Sequence, residues 1–290
     1  MKQTSHEAYF TLYTPDGSCQ APGKTFFSRE QTAAAGAYWR GEKGGAVVTW
    51  KKTAAAVCLL AAVAALPAPA PRWTAADAAV PLEVESRPPL VALTFDDGPR
   101  GDTTGALLDG LALREVPATF FLVGSRLEGR EELVARMATE GHQVGVHTYD
   151  HTALTGLSRR DYDAQVGKTR AALAAILGDG DFWLRPPYGM TDDAACLWAG
   201  SPVILWSVDP EDWRDQDVER IVGEVVEHVE DGSIILLHDI YPSSVQAALQ
   251  VVDILLERGC CFVTVEQLME RRGVEPEAGR VYRRFPPAGQ

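Results

Sequence analysis

The chain has 290 residues, enough for a sizeable core, and its 46% hydrophobic and 23% charged composition excludes wholesale disorder. Acidic residues outnumber basic ones 40 to 27, a formal net charge of −13, so the chain as a whole offers no electrostatic footprint for nucleic acid or an anionic membrane. Its five cysteines, Cys19, Cys58, Cys196, Cys260 and Cys261, contain no Cys-x-x-Cys pair, which excludes a thiolate metal site of the usual spacing.

Residues 1–46 show no sustained period of 2 or 3.6 and predict no packed fold. Lys51-Lys52, the apolar run Thr53 to Leu66 and the Pro67-Ala68-Pro69-Ala70 step together describe a secretory signal peptide over 47–70. The run is short for a transmembrane helix, although left uncleaved it would act as a membrane anchor. Its place inside the chain predicts translation starting near Val47 or Val48, with the upstream residues spurious or disordered. Pro, Ala and acids without a period make 71–88 a linker. A catalytic-type domain is expected over 89–275, followed by a tail, 276–290.

From Leu90 onward strands and helices alternate. Leu90 to Phe95 is an apolar strand stopped by Gly98-Pro99, so Asp96 and Asp97 sit at its C-terminal tip. A helix over Thr103 to Leu113, a strand over Ala118 to Val123, a helix over Glu128 to Glu140 and a short strand over Val144 to Val146 follow. Ser158 with Asp161 opens the next helix, which continues through Ala164 to Leu177 and ends at Gly178. Phe182 to Leu184 is the fourth strand, Thr191 caps a short helix, and Val203 to Ser207 is the fifth strand. Val218 to Val229 is helical, Ser233 to Leu237 is a strand, Val245 to Arg258 is helical and Cys261 to Val263 is a strand. Thr264 with Gln267 forms a capping box for the last helix. Seven strands alternating with helices predict a parallel sheet, closed or nearly closed into a barrel, with polar groups gathered at the C-terminal strand ends. No Gly-x-Gly-x-x-Gly follows the first strand, which argues against a dinucleotide fold.

The polar residues fall at those ends. Two adjacent carboxylates cannot comfortably ionise side by side without a cation or an Arg, so Asp96-Asp97 demands a partner. His147-Thr148-Tyr149-Asp150-His151 spaces two imidazoles to share one side of a helical turn, where they can bind a divalent ion together with a carboxylate. Arg185-Pro186-Pro187-Tyr188 offers a stiff loop and a guanidinium able to pair bidentately. Asp209-Pro210-Glu211-Asp212-Trp213 and Leu236-Leu237-His238-Asp239 end the next two strands. Taken singly, each cluster is an ordinary turn or backbone-satisfying arrangement. Five clusters at strand ends point to a shared site.

In that order the clusters resemble the polysaccharide deacetylases, the NodB-homology group or carbohydrate esterase family four, over about residues 89 to 270. The resemblance implies an α/β fold, a distorted (β/α)7 barrel, in which Asp97, His147 and His151 bind a divalent metal, most often Zn2+, with Co2+ or Ni2+ as alternatives. It further implies Asp96 as general base, His238 as general acid, Arg185 orienting Asp96, and Asp209 tuning His238. The backbone N–H of Tyr188 would hold the oxyanion, and Trp213 and Leu236 would wall an acetyl pocket. The chemistry agrees: an amide carbonyl needs polarising, a water needs a base, and an amine leaves only when protonated. The expected activity is a secreted or cell-wall-associated N-deacetylase acting on N-acetylated polysaccharide or oligosaccharide such as peptidoglycan or chitin. An O-acetyl glycan esterase or a non-catalytic carbohydrate-binding barrel are the alternatives, and no protein partner is implied.

Overall fold

The computed structural model describes residues 87–287. The expected signal peptide, the segment before it and nearly all of the linker therefore lie outside the described residues. Among the described residues, no helix is long and apolar enough to cross a membrane.

Leu90–Asp96 forms β1, and every one of its residues is buried. A strand covered on both faces reads as a continuous apolar run rather than an alternation, which explains the composition of this segment. β1 pairs in parallel with β2 (Thr119–Leu122) and with β5 (Ile234–His238), and its N-terminal half pairs with β6 (Cys261–Val263). β3 (Gln143–Val146) extends the sheet beyond β2. The register sets Asp96 opposite His238 on the neighbouring strand, so two sequence-distant groups arrive together at one strand-end face.

Helices fill the connections: α1 (Gly101–Ala112), α2 (Glu131–Thr139), α3 (Arg159–Tyr162), α4 (Lys168–Leu177), α5 (Asp193–Trp198), α6 (Val218–His228), α7 (Pro242–Glu257) and α8 (Val265–Arg271). Leu107, Leu108 and Leu111 of α1 and Val251 and Leu255 of α7 bury against the sheet, where Phe95 and Phe120 stack with centroids 5.3 Å apart. The Thr264–Gln267 capping box forms as expected, with both reciprocal bonds. The cap of α5 is Asp192 rather than Thr191, because the Asp192 side chain accepts from the Ala195 N–H.

The ladders do not close into a barrel. A five-stranded sheet runs β3-β2-β1-β5 with β6 on β1, and a separate pair joins β4 (Val203–Ile204) to β7 (Val281–Tyr282). Single parallel bridges, Val146 to Leu184, Leu184 to Val203 and Val208 to Ile235, carry the arc between them. The expected strands Phe182 to Leu184 and Val203 to Ser207 shrink to a bridge at Leu184 and to the two residues of β4, after which the Ser207 and Val208 N–H groups turn to the Ile234 carbonyl. Within 276–290, β7 pairs with β4 and buries Tyr282 and Phe285, so the packed unit extends past residue 275.

Candidate active site

Asp96 ends β1 with its carboxylate almost wholly enclosed, and Asp97 follows at φ 75°. The reversal of backbone direction sends the two neighbouring side chains to different surroundings. Asp96 Oδ1 accepts from Arg185 Nη1 at 2.8 Å. The same nitrogen reaches Thr94 Oγ1 at 2.7 Å, and Arg185 Nε and Nη2 donate to the Ile204 and Leu205 carbonyls. The guanidinium is fully buried, so the bidentate pairing expected from sequence becomes one ion pair plus carbonyl bonds that satisfy the remaining donors. Gly98 follows because a Cβ there would lie 2.4 Å from Asp239 Oδ2. Asp239 itself is fully buried, bonded to Thr104, and burial together with the Asp97 charge pushes its carboxyl up to about 7.

Asp97, His147 and His151 each offer a ligand atom, and these atoms lie within 4.8 Å of one another. The histidines do not share a helical turn as the spacing predicts. Thr148 and His151 have φ of 62° and 67°, and the turn is held from outside. Gln165 accepts from the Tyr149 N–H at 2.9 Å, and the Gly124 N–H donates to the Thr148 carbonyl. The rings still converge, with centroids 5.0 Å apart.

The donor set fits a divalent cation. His147 Nδ1 donates to the Arg185 carbonyl at 2.8 Å, which fixes the tautomer and leaves Nε2 bare toward Asp97, 3.7 Å from Oδ1. His151 Nε2 lies 3.3 Å from the same oxygen, while its Nδ1 meets the Tyr188 hydroxyl at 3.1 Å. Burial pushes the His151 pKa down against the pull of Asp97, favouring the neutral imidazole that ligation requires. Asp97 Oδ1 is buried and has no hydrogen-bond partner among the described residues. A buried carboxylate oxygen facing two imidazole nitrogens and nothing else is a ligand set rather than a closed hydrogen-bond network.

His238 lies across the cleft, and its partner is not the residue expected. Nδ1 donates to Asp212 Oδ1 at 2.7 Å, and the His238 backbone N–H donates to Asp212 Oδ2 at 2.8 Å. Asp212 is fully buried. Asp209 instead stands at the rim, exposed, with Oδ1 accepting from the Glu211 N–H at 2.9 Å. Of the two acids, Asp212 and not Asp209 hydrogen-bonds the ring. Burial alone would lower the His238 pKa, but the Asp212 bond and charge, aided by Asp96 and Asp97, carry it up to about 9.

A cleft of about 360 Å³ joins these groups, lined by Asp96, Asp97, His147, His151, Tyr188, Trp206, Asp209, Trp213, Leu236 and His238. Nine of the ten residues singled out from sequence line it; Arg185 lies buried behind Asp96. Tyr188 adopts φ 62° and is exposed, as is Trp213, whereas Leu236 is buried. Sequence reasoning missed Asp212, Thr94 and Trp206. Asp212 stood in the same motif as Asp209, and residue type alone could not choose between two acids three positions apart.

A family profile described as Polysaccharide deacetylase matches residues 83–201. The peptidoglycan-N-acetylmuramic acid deacetylase PdaC of Bacillus subtilis is 41% identical over 187 residues, 64% of this chain and 40% of that protein. The chain thus spans two fifths of that relative's length. A chitooligosaccharide deacetylase of Sinorhizobium fredii is 41% identical over 155 residues, covering 52% of this chain and 72% of that one. Among solved structures, a family 4 acetyl xylan esterase from Clostridium thermocellum in complex with a cobalt ion superposes with a TM-score of 0.65 at 31% identity, covering 68% of this chain and 99% of that one. On these matches and the shared parallel α/β architecture, the chain belongs to the polysaccharide deacetylase family.

Proposed function

We propose that the protein is a metal-dependent N-deacetylase that hydrolyses the acetamido group of N-acetylated amino sugars in a peptidoglycan-like or chitin-like glycan, releasing acetate. The observation that carries this reading is the meeting, in one cleft, of Asp96, the Asp97, His147 and His151 donor set, and His238 bonded to the buried Asp212. Asp97, His147 and His151 would hold the cation, and two imidazoles with one carboxylate suit Zn2+, while accepting Co2+ or Ni2+. When bound it polarises the acetyl carbonyl and acidifies the attacking water.

Asp96 takes the proton of that water. Its ion pair with Arg185 holds it aimed, while its neighbour Asp97 is committed to ligation, so adjacency divides the work between the two acids. The backbone N–H of Tyr188 is assigned to the developing oxyanion, and Trp213 and Leu236 wall the acetyl methyl. His238, charged through its bond to Asp212, donates a proton to the leaving amine, which would otherwise depart as an anion. The names of the Bacillus relative, a peptidoglycan-N-acetylmuramic acid deacetylase, and of the Sinorhizobium relative, a chitooligosaccharide deacetylase, support the amide reading.

The Clostridium neighbour, an acetyl xylan esterase, favours one second reading, O-acetyl ester hydrolysis at the same centre. An alkoxide leaves more easily than an amine anion, so the two differ in their need for the acid. Acetate release from a panel of purified N-acetylated and O-acetylated glycans, with chelation and metal add-back, tests both. Loss of N-deacetylation in His238→Ala with ester hydrolysis spared supports the amide reading; N-deacetylation unchanged in that variant refutes the acid assignment. Export belongs to the same proposal and rests on Lys51-Lys52, the run to Leu66 and the Ala-Pro-Ala step. N-terminal sequencing of the secreted chain tests it, and a mature protein that retains Ser5 or Phe10 refutes it.

A further inference from the structure

We propose that a second pocket beside the acetyl cleft binds an oxyanion carried by the glycan, a carboxylate or a phosphate; this rests on the deacetylase reading and adds a charge requirement to its substrate. The pocket, about 260 Å³, is lined by Pro99, Arg100, Arg126, Arg130 and Ile240. These residues follow the C-terminal ends of β1, β2 and β5, the same strand-end face that carries Asp96 and His238. Arg126 Nη1 donates to the Asp97 carbonyl, so the pocket begins one side chain away from the metal ligands.

Each guanidinium is anchored through one nitrogen. Arg100 Nη1 donates to the Ile240 carbonyl at 3.1 Å, and Arg130 Nη1 to the Arg126 carbonyl at 3.1 Å and the Glu128 carbonyl at 3.5 Å. Nε and Nη2 of all three make no hydrogen bond, and none of the three forms an ion pair, among the described residues. Several arginines elsewhere are compensated, as in Arg114 with Asp253, Arg136 with Glu140 and Arg220 with Asp215, and those among the described residues that are not, such as Arg160 and Arg258, do not gather around one pocket. Three uncompensated guanidinia around one pocket are unexpected in a chain with 13 more acids than bases, by 40 against 27. Like charges brought together repel, and the backbone carbonyls that anchor them carry no formal charge to offset theirs. A planar fork fixed at one nitrogen and free at the others is suited to a carboxylate or phosphate.

The test compares ligands of equal length: neutral chitotetraose, a GlcNAc-MurNAc tetrasaccharide bearing lactyl carboxylates, and chitotetraose bearing a phosphate. Kd is measured by calorimetry on the full chain with chelator present, independently of turnover, and acetate release is followed in parallel without chelator. The protein should prefer at least one anionic glycan to the neutral one by about tenfold, as expected for charge-assisted hydrogen bonds. Arg100→Gln/Arg130→Gln should erase that preference, and which anionic glycan is favoured identifies carboxylate or phosphate as the source. Methyl esterification of the lactyl carboxylates, or capping the phosphate as its diester, makes the same test from the ligand side should the double variant not fold. Equal Kd for all three glycans, or a preference that survives both charge removal and the double substitution, overturns the proposal. A charge preference without acetate release from any glycan overturns the deacetylase reading and leaves the anion site standing.

Discussion

Replacing Asp212 with Asn should move the alkaline limb of the activity profile and leave the fold of the cleft in place. The carboxylate is fully buried and holds His238 through both the ring and the backbone N–H. Asn conserves the shape and the acceptor toward Nδ1 but removes the charge, and its NH2 cannot accept from the His238 backbone N–H as the second carboxylate oxygen does. Burial, which acts to lower the His238 pKa, is then opposed only by the charges of Asp96, Asp97, Asp209 and Asp239, none of which hydrogen-bonds the ring. The pKa should fall from about 9 to the ordinary histidine value or below it. At pH 8 a group with pKa 9 is about nine-tenths protonated, and one at ~6.5 only about one-thirtieth, so the available acid drops roughly thirtyfold. Acetate release from an N-acetylglucosamine oligomer, measured from acid to alkaline pH for wild type, Asp212→Asn and Asp209→Asn, reads this directly. Asp209→Asn should shift the limb far less. An unmoved limb in Asp212→Asn, or the same displacement in Asp209→Asn, would refute the assignment of Asp212 as the positioning residue.

Arg185→Met should destabilise the protein by about 3–5 kcal/mol, because it strands the Asp96 carboxylate inside the sheet without its counter-charge; urea denaturation measures it, and a loss near zero would contradict the buried pairing. Zinc at about a hundred times its Kd should add about 2.7 kcal/mol of stability, visible as a raised Tm, and His151→Ala should remove most of that gain. His142 is buried, its Nδ1 accepting from the Ala118 N–H at 3.0 Å, and burial pushes its pKa down to about 4. The native state therefore binds this proton less readily than the unfolded chain. Its contribution is present above pH ~6.5 and is lost as pH falls toward 4, by roughly 3 kcal/mol in all. Denaturant midpoints across that range should show the slope, and His142→Gln should flatten it.

The local chemistry was legible in the sequence wherever one residue type in one place sufficed. β1 was readable because a doubly covered strand must be apolar until it ends, and Gly98-Pro99 marks the end. The alternation of strands and helices, the Thr264 cap and the acids, histidines and arginine at the strand ends followed from pattern alone. Strand length was less legible at 182–184 and 203–207, since pairing there depends on neighbours outside the segment. The burial of Tyr282 in an expected tail depends on the edge that β4 presents.

What only the tertiary structure decided is which of two like residues touches the third. Sequence placed Asp209 and Asp212 at one strand end, but a hydrogen bond is a matter of a few tenths of an ångström, and only the folded backbone brings Asp212 to His238. The histidine pair shows the same division: residue types and spacing announce a shared ligand, whereas the left-handed turn that unites them is held by Gln165 and Gly124, far away in the chain. Composition and order determine which chemistry is present, because side-chain type is local. Long-range packing determines which groups act on one another, because distance is not.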